Sequence, residues 1–456
     1  MSRNRVAAVI CNYNKREYVV NCIQSVLESD FDGFDLFVVD NASTDDSVEW
    51  IQKIYGNRLK LFVNRENLGG SGGFNTGIRY AVTQGYDYVW CLDNDVLVDE
   101  QALRTLYEFL ETHPDTGMAG SKVYHMEAPD YVQQFGIDIL WEDYCCQAKY
   151  HNVLEDGSMP EVVYSDAVAA CSVLVRTSLI REIGPLPEEN FLYWDDTEWG
   201  HKCNLAGYRV ASIGASRVLH SMGAKKETEN TFPMYYAWRN WIRFFMKYTP
   251  EERLDDMCQA FLEGIFDVVY HDLYQGEESR SRTVMYAYDD ALHGITGKAG
   301  EEKIFPVFRS DERWKKLLTG RKKVRIYTNG RAAQAEILAE RLQGLIAEAG
   351  RGTELEIITE IPDGTGNGSG TGIEASTEAF LSVVMTDSIF RLEDLSLSVV
   401  YVDEEDRILA EEEELFLVIN REYSRRTFVF AQKPLFLWST DRVRKGAGED
   451  GADPGR

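Results

Sequence analysis

The 456-residue sequence contains no apolar run near the roughly 18 to 20 residues that cross a bilayer as a helix. Its opening, MSRNRVAAVICNYN, passes straight into a strand pattern, so neither a signal peptide nor a transmembrane helix is expected. Positive charge is scarce: 48 Lys and Arg stand against 75 Asp and Glu, a formal net charge of −27. Such a chain neutralises phosphates poorly, which argues against nucleic acid as a partner. The cysteines are Cys11, Cys22, Cys91, Cys145, Cys146, Cys171, Cys203 and Cys258, with no CxxC pair among them. Paired-thiolate metal spacing is therefore absent, and reduced structural thiols are expected in place of a disulfide framework. Disorder throughout is excluded, because 44% of the residues are hydrophobic and can build a sizeable core. A soluble, cytoplasmic protein of about three domains, acting on small or neutral partners, is the expectation.

The first 225 residues alternate strand and helix patterns. Strands are expected at 5–11, 35–40, 59–63 and 86–92. Helices are expected at 16–29, after a cap at Ser43 or Thr44, from a glycine-rich turn to Gln84, at 99–112 and at 194–206. Single helices between strands imply an α/β fold with a doubly wound, mostly parallel sheet, in which ligands bind outside the carboxyl ends of the strands. Beyond residue 232 the pattern turns helical, at 234–248, 251–274 and 282–293. From Lys323 it reads as a small α/β domain, with strands at 324–328, 354–361, 380–385, 395–402, 414–419 and 427–431 and a helix at 332–349. The glycine-rich loop Pro362–Gly372 is expected to be flexible and the tail after Arg444 disordered. The domains are thus 1–232, a helical region 233–321, a small α/β domain 322–445 with no role assigned, and a tail 446–456.

Four features carry chemistry. Asp93-Asn94-Asp95 ends a hydrophobic strand, and two carboxylates there can face one hard divalent cation and one diphosphate. A polar turn reads the same way. Asn67–Gly77 holds four glycines in five residues, which allow close backbone approach to a ligand or tight packing of a helix on the sheet. No GK[ST] follows, so it is not a P-loop. Phe191–Glu198 sets three acids beside aromatic rings. Aromatic faces stack on sugars and a carboxylate can take a hydroxyl proton, although an acidic helix start looks alike. His220 ends the run Arg217-Val218-Leu219, where a lone histidine is more often structural than a ligand.

Taken in order, VAAVICNYN, VVDNASTD, NRENLGGSGGFNTG, WCLDNDV, Gly184-Pro185 with WDDTE, and VLHSMG resemble the family-2 inverting glycosyltransferases of GT-A type. The resemblance covers roughly the first 245 residues and is greatest to galactofuranosyltransferases and rhamnosyltransferases. YYAWRN resembles a segment after the catalytic region of the rhamnosyltransferase-like members. The resemblance implies a Rossmann-like GT-A domain with a helical extension, and a site carried over residue by residue. Asp40 would contact the base or ribose, Asn67 and Gly69 would line the donor site, and Asp93 would face diphosphate and metal. Asp95 would be the firmer ligand of Mn²⁺ or Mg²⁺, with His220 completing the shell. Asp196 would be the general base, Asp195 its neighbour positioning the acceptor, and Trp194 the stacking platform for an acceptor sugar.

The reaction implied is a single inverting displacement from a nucleotide-sugar donor onto a glycan or lipid-linked glycan in cell-surface polysaccharide synthesis. UDP-galactofuranose is preferred to dTDP-rhamnose. A non-catalytic carbohydrate-binding or scaffold protein on the same fold is the non-enzymatic alternative. A sugar-nucleotide pyrophosphorylase is disfavoured, because NYNKRE supplies no basic glycine-rich loop after the first strand. Tyr235, Tyr236, Trp238, Trp241, Phe244 and Phe245 lie near Arg239, Arg243 and Lys247. That helix could touch the inner face of the cell membrane, but packing on the catalytic domain is preferred, since the apolar residues do not form one face. Self-association is a further partner left open.

Overall fold

The computed structural model describes residues 5–221, 230–274, 277–307, 311–348, 352–358, 376–377, 379–386, 399–403, 408–410 and 415–446. The chain opens β1 (Val6–Asn12), α1 (Arg16–Leu27), β2 (Phe34–Asp40), α2 (Ser47–Tyr55), β3 (Lys60–Val63), α3 (Gly69–Gln84) and β4 (Tyr88–Asp93). These four strands pair in parallel in the order β3-β2-β1-β4. The strand β1 is an unbroken apolar run because both its faces are covered. Val6, Ala8 and Ile10 pack with Val19, Cys22, Ile23 and Val26 of α1, while Ala7 and Val9 pack with Phe74, Ile78 and Ala81 of α3. The α/β, doubly wound expectation is met.

The sheet then continues past the parallel core. It takes in β5 (Val96–Val98), α4 (Ala102–Thr112), β6 (Thr116–His125), β7 (Tyr131–Gln134), a hairpin of β8 (Ile137–Leu140) and β9 (Cys145–Ala148), β10 (Val153–Leu154), β11 (Val162–Ser165) and β12 (Ser172–Arg176). Of these, β8 and β9 form their own two-stranded sheet. Next come α5 (Thr177–Ile183), α6 (Asp195–Leu205) and β13 (Arg209–His220). The strand β12 pairs antiparallel with both β4 and β6, and β13 pairs antiparallel with β5. The helical extension holds α7 (Phe232–Tyr248), α8 (Leu254–Tyr274), α9 (Glu278–His293) and α10 (Glu312–Leu318). The last part holds β14 (Lys323–Tyr327), α11 (Ala332–Glu348), β15 (Glu354–Ile358), β16 (Phe380–Met385), β17 (Val400–Val402), β18 (Ile408–Ala410) and α12 (Leu415–Gly446).

By contacts the chain forms two compact units: Met1–Phe261 with Thr283–Pro306 and Leu435–Arg456, and Leu262–Arg282 with Val307–Pro434. The second unit holds a five-stranded sheet in the order β15-β14-β16-β17-β18, parallel except for β18. Ala335, Leu338 and Leu342 of α11 join Val324, Ile326, Leu381 and Val383 in its core.

Four local expectations need correction. The glycine-rich turn is the first half of α3, not a loop. The start of α2 is at Ser47, whose amide donates to Asp45 Oδ1 at 3.1 Å, not after a cap at Ser43 or Thr44. Residues 415–419 and 427–431 are part of α12, not strands, because short apolar runs do not separate buried strand from helix by periodicity. Lys445 and Gly446 also belong to α12, so the helix runs past Arg444. The loop Pro362–Gly372 and residues 447–456 lie outside the described residues. The helix α7 buries Tyr235, Tyr236, Phe244 and Phe245, in keeping with the packing reading. Among the described residues no helix is long and apolar enough to cross a membrane.

The glycines of α3 let that helix lie hard against the sheet. A Cβ at Gly77 would stand 2.5 Å from Val9 Cγ1, and one at Gly73 would stand 2.4 Å from Cys11 Sγ. Gly77→Val is therefore expected to destabilise the fold by about 1 to 3 kcal/mol through overpacking. Urea unfolding measures this, and an unchanged midpoint would mean that α3 and β1 are not in close contact.

Candidate active site

Backbone register puts three strand ends level. Asn12 of β1 pairs with Asp40 of β2, and Cys11 pairs with Asp93 of β4. The strand order reverses between β2 and β4 across β1, so the cleft at these ends is the switch point where such sheets bind ligands. The cleft encloses about 250 Å³ and is lined by Cys11, Tyr13, Lys15, Asn41, Asn67, Gly69, Gly70, Phe74, Asp93, Asn94, Phe191, Leu192 and Phe232. Asn67, Gly69 and Asp93, three of the expected donor residues, are among them. Asp40 is fully buried beneath the cleft, accepting from Asn12 Nδ2 at 3.0 Å and from the Ser43 amide at 2.9 Å. Gly69 has φ +76°, and a Cβ there would meet the Phe191 carbonyl oxygen at 2.1 Å, so only glycine fits.

Asp93, Asp95 and His220 come together at one end of this cleft. Antiparallel pairing of β13 with β5 sets His220 opposite Val96 and so beside the acids, 125 residues away in sequence from Asp95. His220 Nε2 lies 3.3 Å from Asp95 Oδ1 and 3.8 Å from Asp93 Oδ2. One ligand atom from each residue falls within 4.8 Å of the other two, and no other such group occurs among the described residues. Two carboxylates and an imidazole suit a divalent cation such as Mn²⁺ or Mg²⁺, so the residues fit the metal the resemblance implies. Burial and the charge of Asp95 push Asp93 up to about 6. Burial acts on Asp95 too, but the hydrogen bond and charge of His220, with Lys15, outweigh it and hold Asp95 below its ordinary value. Burial alone would lower His220, yet the two carboxylates leave it raised.

Two partners of this cluster were not singled out from sequence. Lys15 Nζ contacts Asp95 Oδ2 at 2.6 Å. Gln133 Oε1 lies 2.7 Å from His220 Nδ1, so it accepts from that nitrogen and turns Nε2 toward the acids. Asn41 is a third omission. Its Nδ2 donates to Asn67 Oδ1 at 3.0 Å and to the Gly69 carbonyl at 2.9 Å, while its Oδ1 accepts from Asn64 and the Leu68 amide. It thus ties the β2 end to the start of α3. The only sequence signal was its place one residue past a strand-ending Asp.

Asp195 and Asp196 open α6. Asp196 Oδ1 accepts from the Thr197 amide at 2.7 Å and from Thr197 Oγ1 at 3.3 Å. Burial and the adjacent Asp196 push Asp195 up to about 7. Asp196 is also raised by burial, but bonds from the Thr197 and Ala170 backbone favour its ionised form. Burial thus raises both carboxyls, and the backbone bonds to Asp196 oppose its shift. Trp194, half-buried, packs on Phe244 and Phe245 of α7 at centroid distances of 5.3 and 5.9 Å, while Tyr193 beside it is the exposed ring.

Residues 7–152 match the model of Glycosyl transferase family 2. The chain is similar to the poly-beta-1,6-N-acetyl-D-glucosamine synthase of Staphylococcus aureus (strain COL), 31% identical over 113 residues, which are 25% of this chain and 27% of that protein. The match thus spans about a quarter of the length of that relative. Glycosyltransferase GlyG of Streptococcus pneumoniae is 27% identical over 62% of this chain and 93% of its own. A crystal structure of S. aureus TarS is 17% identical, with a TM-score of 0.41, over 66% of this chain and 50% of that one.

The pH behaviour of the acid pair is testable without substrate. The Asp195 carboxyl should take up a proton as pH falls through about 7, above the step of Asp93 near 6, and the upper step should be missing from Asp195→Asn. Carbon-13 spectra of aspartate-labelled protein follow both steps, and an upper step that persists in Asp195→Asn would refute its assignment to Asp195.

Proposed function

We propose that the protein is a metal-dependent inverting glycosyltransferase. The observation that carries this reading is one cleft at the parallel strand ends, with the Asp93–Asp95–His220 group at one side and the Asp195–Asp196 pair nearby. The charge of Asp93 acts on Asp195 and that of Asp196 acts on Asp93, which puts both groups in a common field. Mn²⁺ or Mg²⁺, held by Asp93, Asp95 and His220, would supply positive charge for the diphosphate leaving group. Asn67 offers a polar edge to the nucleoside from the β2 side, with Asn41 and Asp40 bracing the strand end beside it. Lys15 adds a second cation at the diphosphate end. Asp196 takes the proton of the acceptor hydroxyl as its oxygen bonds to the anomeric carbon. The bond from that carbon to the diphosphate breaks, and the nucleoside diphosphate departs with the electron pair. One displacement inverts the centre, and Asp195, raised to about 7, can donate to the acceptor when it is protonated. Tyr193 and Trp194 flank the acceptor side.

The acceptor class is a glycan or lipid-linked glycan of a cell-surface polysaccharide, in keeping with the named polysaccharide synthase among the relatives. For the donor, the sequence resemblance favours UDP-galactofuranose over dTDP-rhamnose. The N-acetylglucosamine polymer in that relative's name makes a UDP-linked N-acetylhexosamine the third candidate.

Release of nucleoside diphosphate from these three donors, with Mn²⁺ and with chelator, tests the reading. Asp95→Ala is expected to abolish transfer, and full activity in chelator would sink the metal assignment. Asp196→Asn should keep donor binding while turnover falls by roughly 10²-fold or more. If Asp195→Asn is inactive and Asp196→Asn active, the roles are reversed. A tenfold or greater preference for either of the other donors would displace UDP-galactofuranose and leave metal and base intact.

A further inference from the structure

The segment before the acid pair has an unusual backbone. Phe191, Tyr193 and Trp194 have φ of +65°, +62° and +64°, in the left-handed region that non-glycine residues seldom occupy. Three such residues in four prevent helix or strand pairing, so the carbonyls of this turn need partners from elsewhere. Strained non-glycine backbone of this kind persists only where surrounding structure holds it.

One side chain supplies most of the holding. Asn240 of α7 is buried, and its Nδ2 lies 2.8 Å from the Asn190 carbonyl, 2.7 Å from that of Leu192 and 3.0 Å from that of Tyr193. Its two hydrogens are shared among three acceptors inside one turn. Arg239, also fully buried, fixes the amide's orientation, because its Nε donates to Asn240 Oδ1 at 3.0 Å. The same guanidinium donates to the Asn190 carbonyl at 3.0 Å and to the Gly297 carbonyl at 2.8 Å. The turn so held has two consequences. Phe191 and Leu192 form a wall of the donor cleft, and the Phe191 carbonyl sits where a Cβ on Gly69 would be. Trp194 is the residue from which α6 starts, its carbonyl accepting from the Glu198 amide at 2.9 Å, and Asp195 and Asp196 are the next two residues.

We infer that Asn240, braced by Arg239, is a positioning residue that sets where the Asp195–Asp196 pair stands against the donor cleft. It touches neither substrate nor the carboxylates. It acts by locking the left-handed turn that links the cleft wall to the first turn of α6. This inference rests on the reading of Asp196 as the base.

Asn240→Asp in the full chain tests it. The substitution keeps size and shape but turns the donor into an oxygen facing three carbonyl oxygens. Tyr235→Phe is the control: it lies on the same helix, is equally buried, and loses a hydrogen bond to Asp290 while keeping the ring that packs with Phe191 and lies under Arg239. Circular dichroism and thermal midpoint report folding. Donor and acceptor kinetics, nucleoside diphosphate binding with Mn²⁺ and the pH profile of kcat report function. In Asn240→Asp, kcat should fall by about 10²-fold, as misplacement of a reacting group does, with nucleoside diphosphate affinity nearly unchanged and the acid limb of kcat displaced. Tyr235→Phe should keep its kcat and its pH profile even where its midpoint drops. A folded Asn240→Asp with wild-type kcat and pH profile overturns the inference, as does an equal kcat loss in Tyr235→Phe. Should Asn240→Asp fail to fold, Arg239→Lys takes its place, losing the fork to Asn190 while keeping the charge. Its kcat must then fall and its acid limb move, or the inference is overturned. Full activity in Asp196→Asn would instead refute the base assignment, whatever Asn240→Asp does.

Discussion

The parallel hydrogen-bond ladder between β1 and its two neighbours governs the rest of the molecule. Because Asn12 pairs with Asp40 and Cys11 with Asp93, β1, β2 and β4 end at one level. A slip of one residue would turn every side chain to the opposite face and separate these ends. The register is secured by two apolar layers that read alternate residues of β1, with Val6, Ala8 and Ile10 on one face and Ala7 and Val9 on the other. The polar groups of the cleft are thus fixed by packing on the sheet beneath them. Asn12 shows the connection most directly: it donates to Asp40 and accepts from Asn94 Nδ2 at 2.8 Å, joining the ends of all three strands through one side chain.

The cleft gathers acids in a protein already strongly negative. Asp93, Asp95, Asp195 and Asp196 all feel burial, yet they do not respond alike. Asp95 keeps its charge because His220 and Lys15 lie against it, while Asp195 has no cation among its causes of shift and moves up to about 7. Separate roles for like residues follow from that difference in neighbours.

The helix α7 changes meaning between sequence and structure. As a string of aromatics and cations it suits a membrane surface. Folded, it buries four of those aromatics and uses its polar residues on backbone carbonyls. Arg239 and Asn240 face the turn at 190–194, and Lys247 reaches Glu189 at 3.2 Å and Glu198 at 2.9 Å. A helix outside the matched family region therefore carries the support for the acid pair.

The sequence by itself determined the α/β alternation, the strand ends and, of the residues lining the cleft, Asn67, Gly69 and Asp93. Those signals are local: an apolar run ended by Asp, a DxD, an acidic helix start. The glycine segment was legible as close approach but not as helix, since only the packed sheet reveals that Gly73 and Gly77 sit where a Cβ has no room. The strands expected at 414–419 and 427–431 failed because a short apolar run carries no period of its own. Tertiary structure alone decided what Gln133, Asn41, Lys15 and Asn240 do. Each is an ordinary polar residue in the sequence, and, apart from Arg239 beside Asn240, the partners given above lie from 23 to 87 residues away. Such hydrogen bonds leave no trace in spacing or composition, because they depend on which surfaces the core brings together.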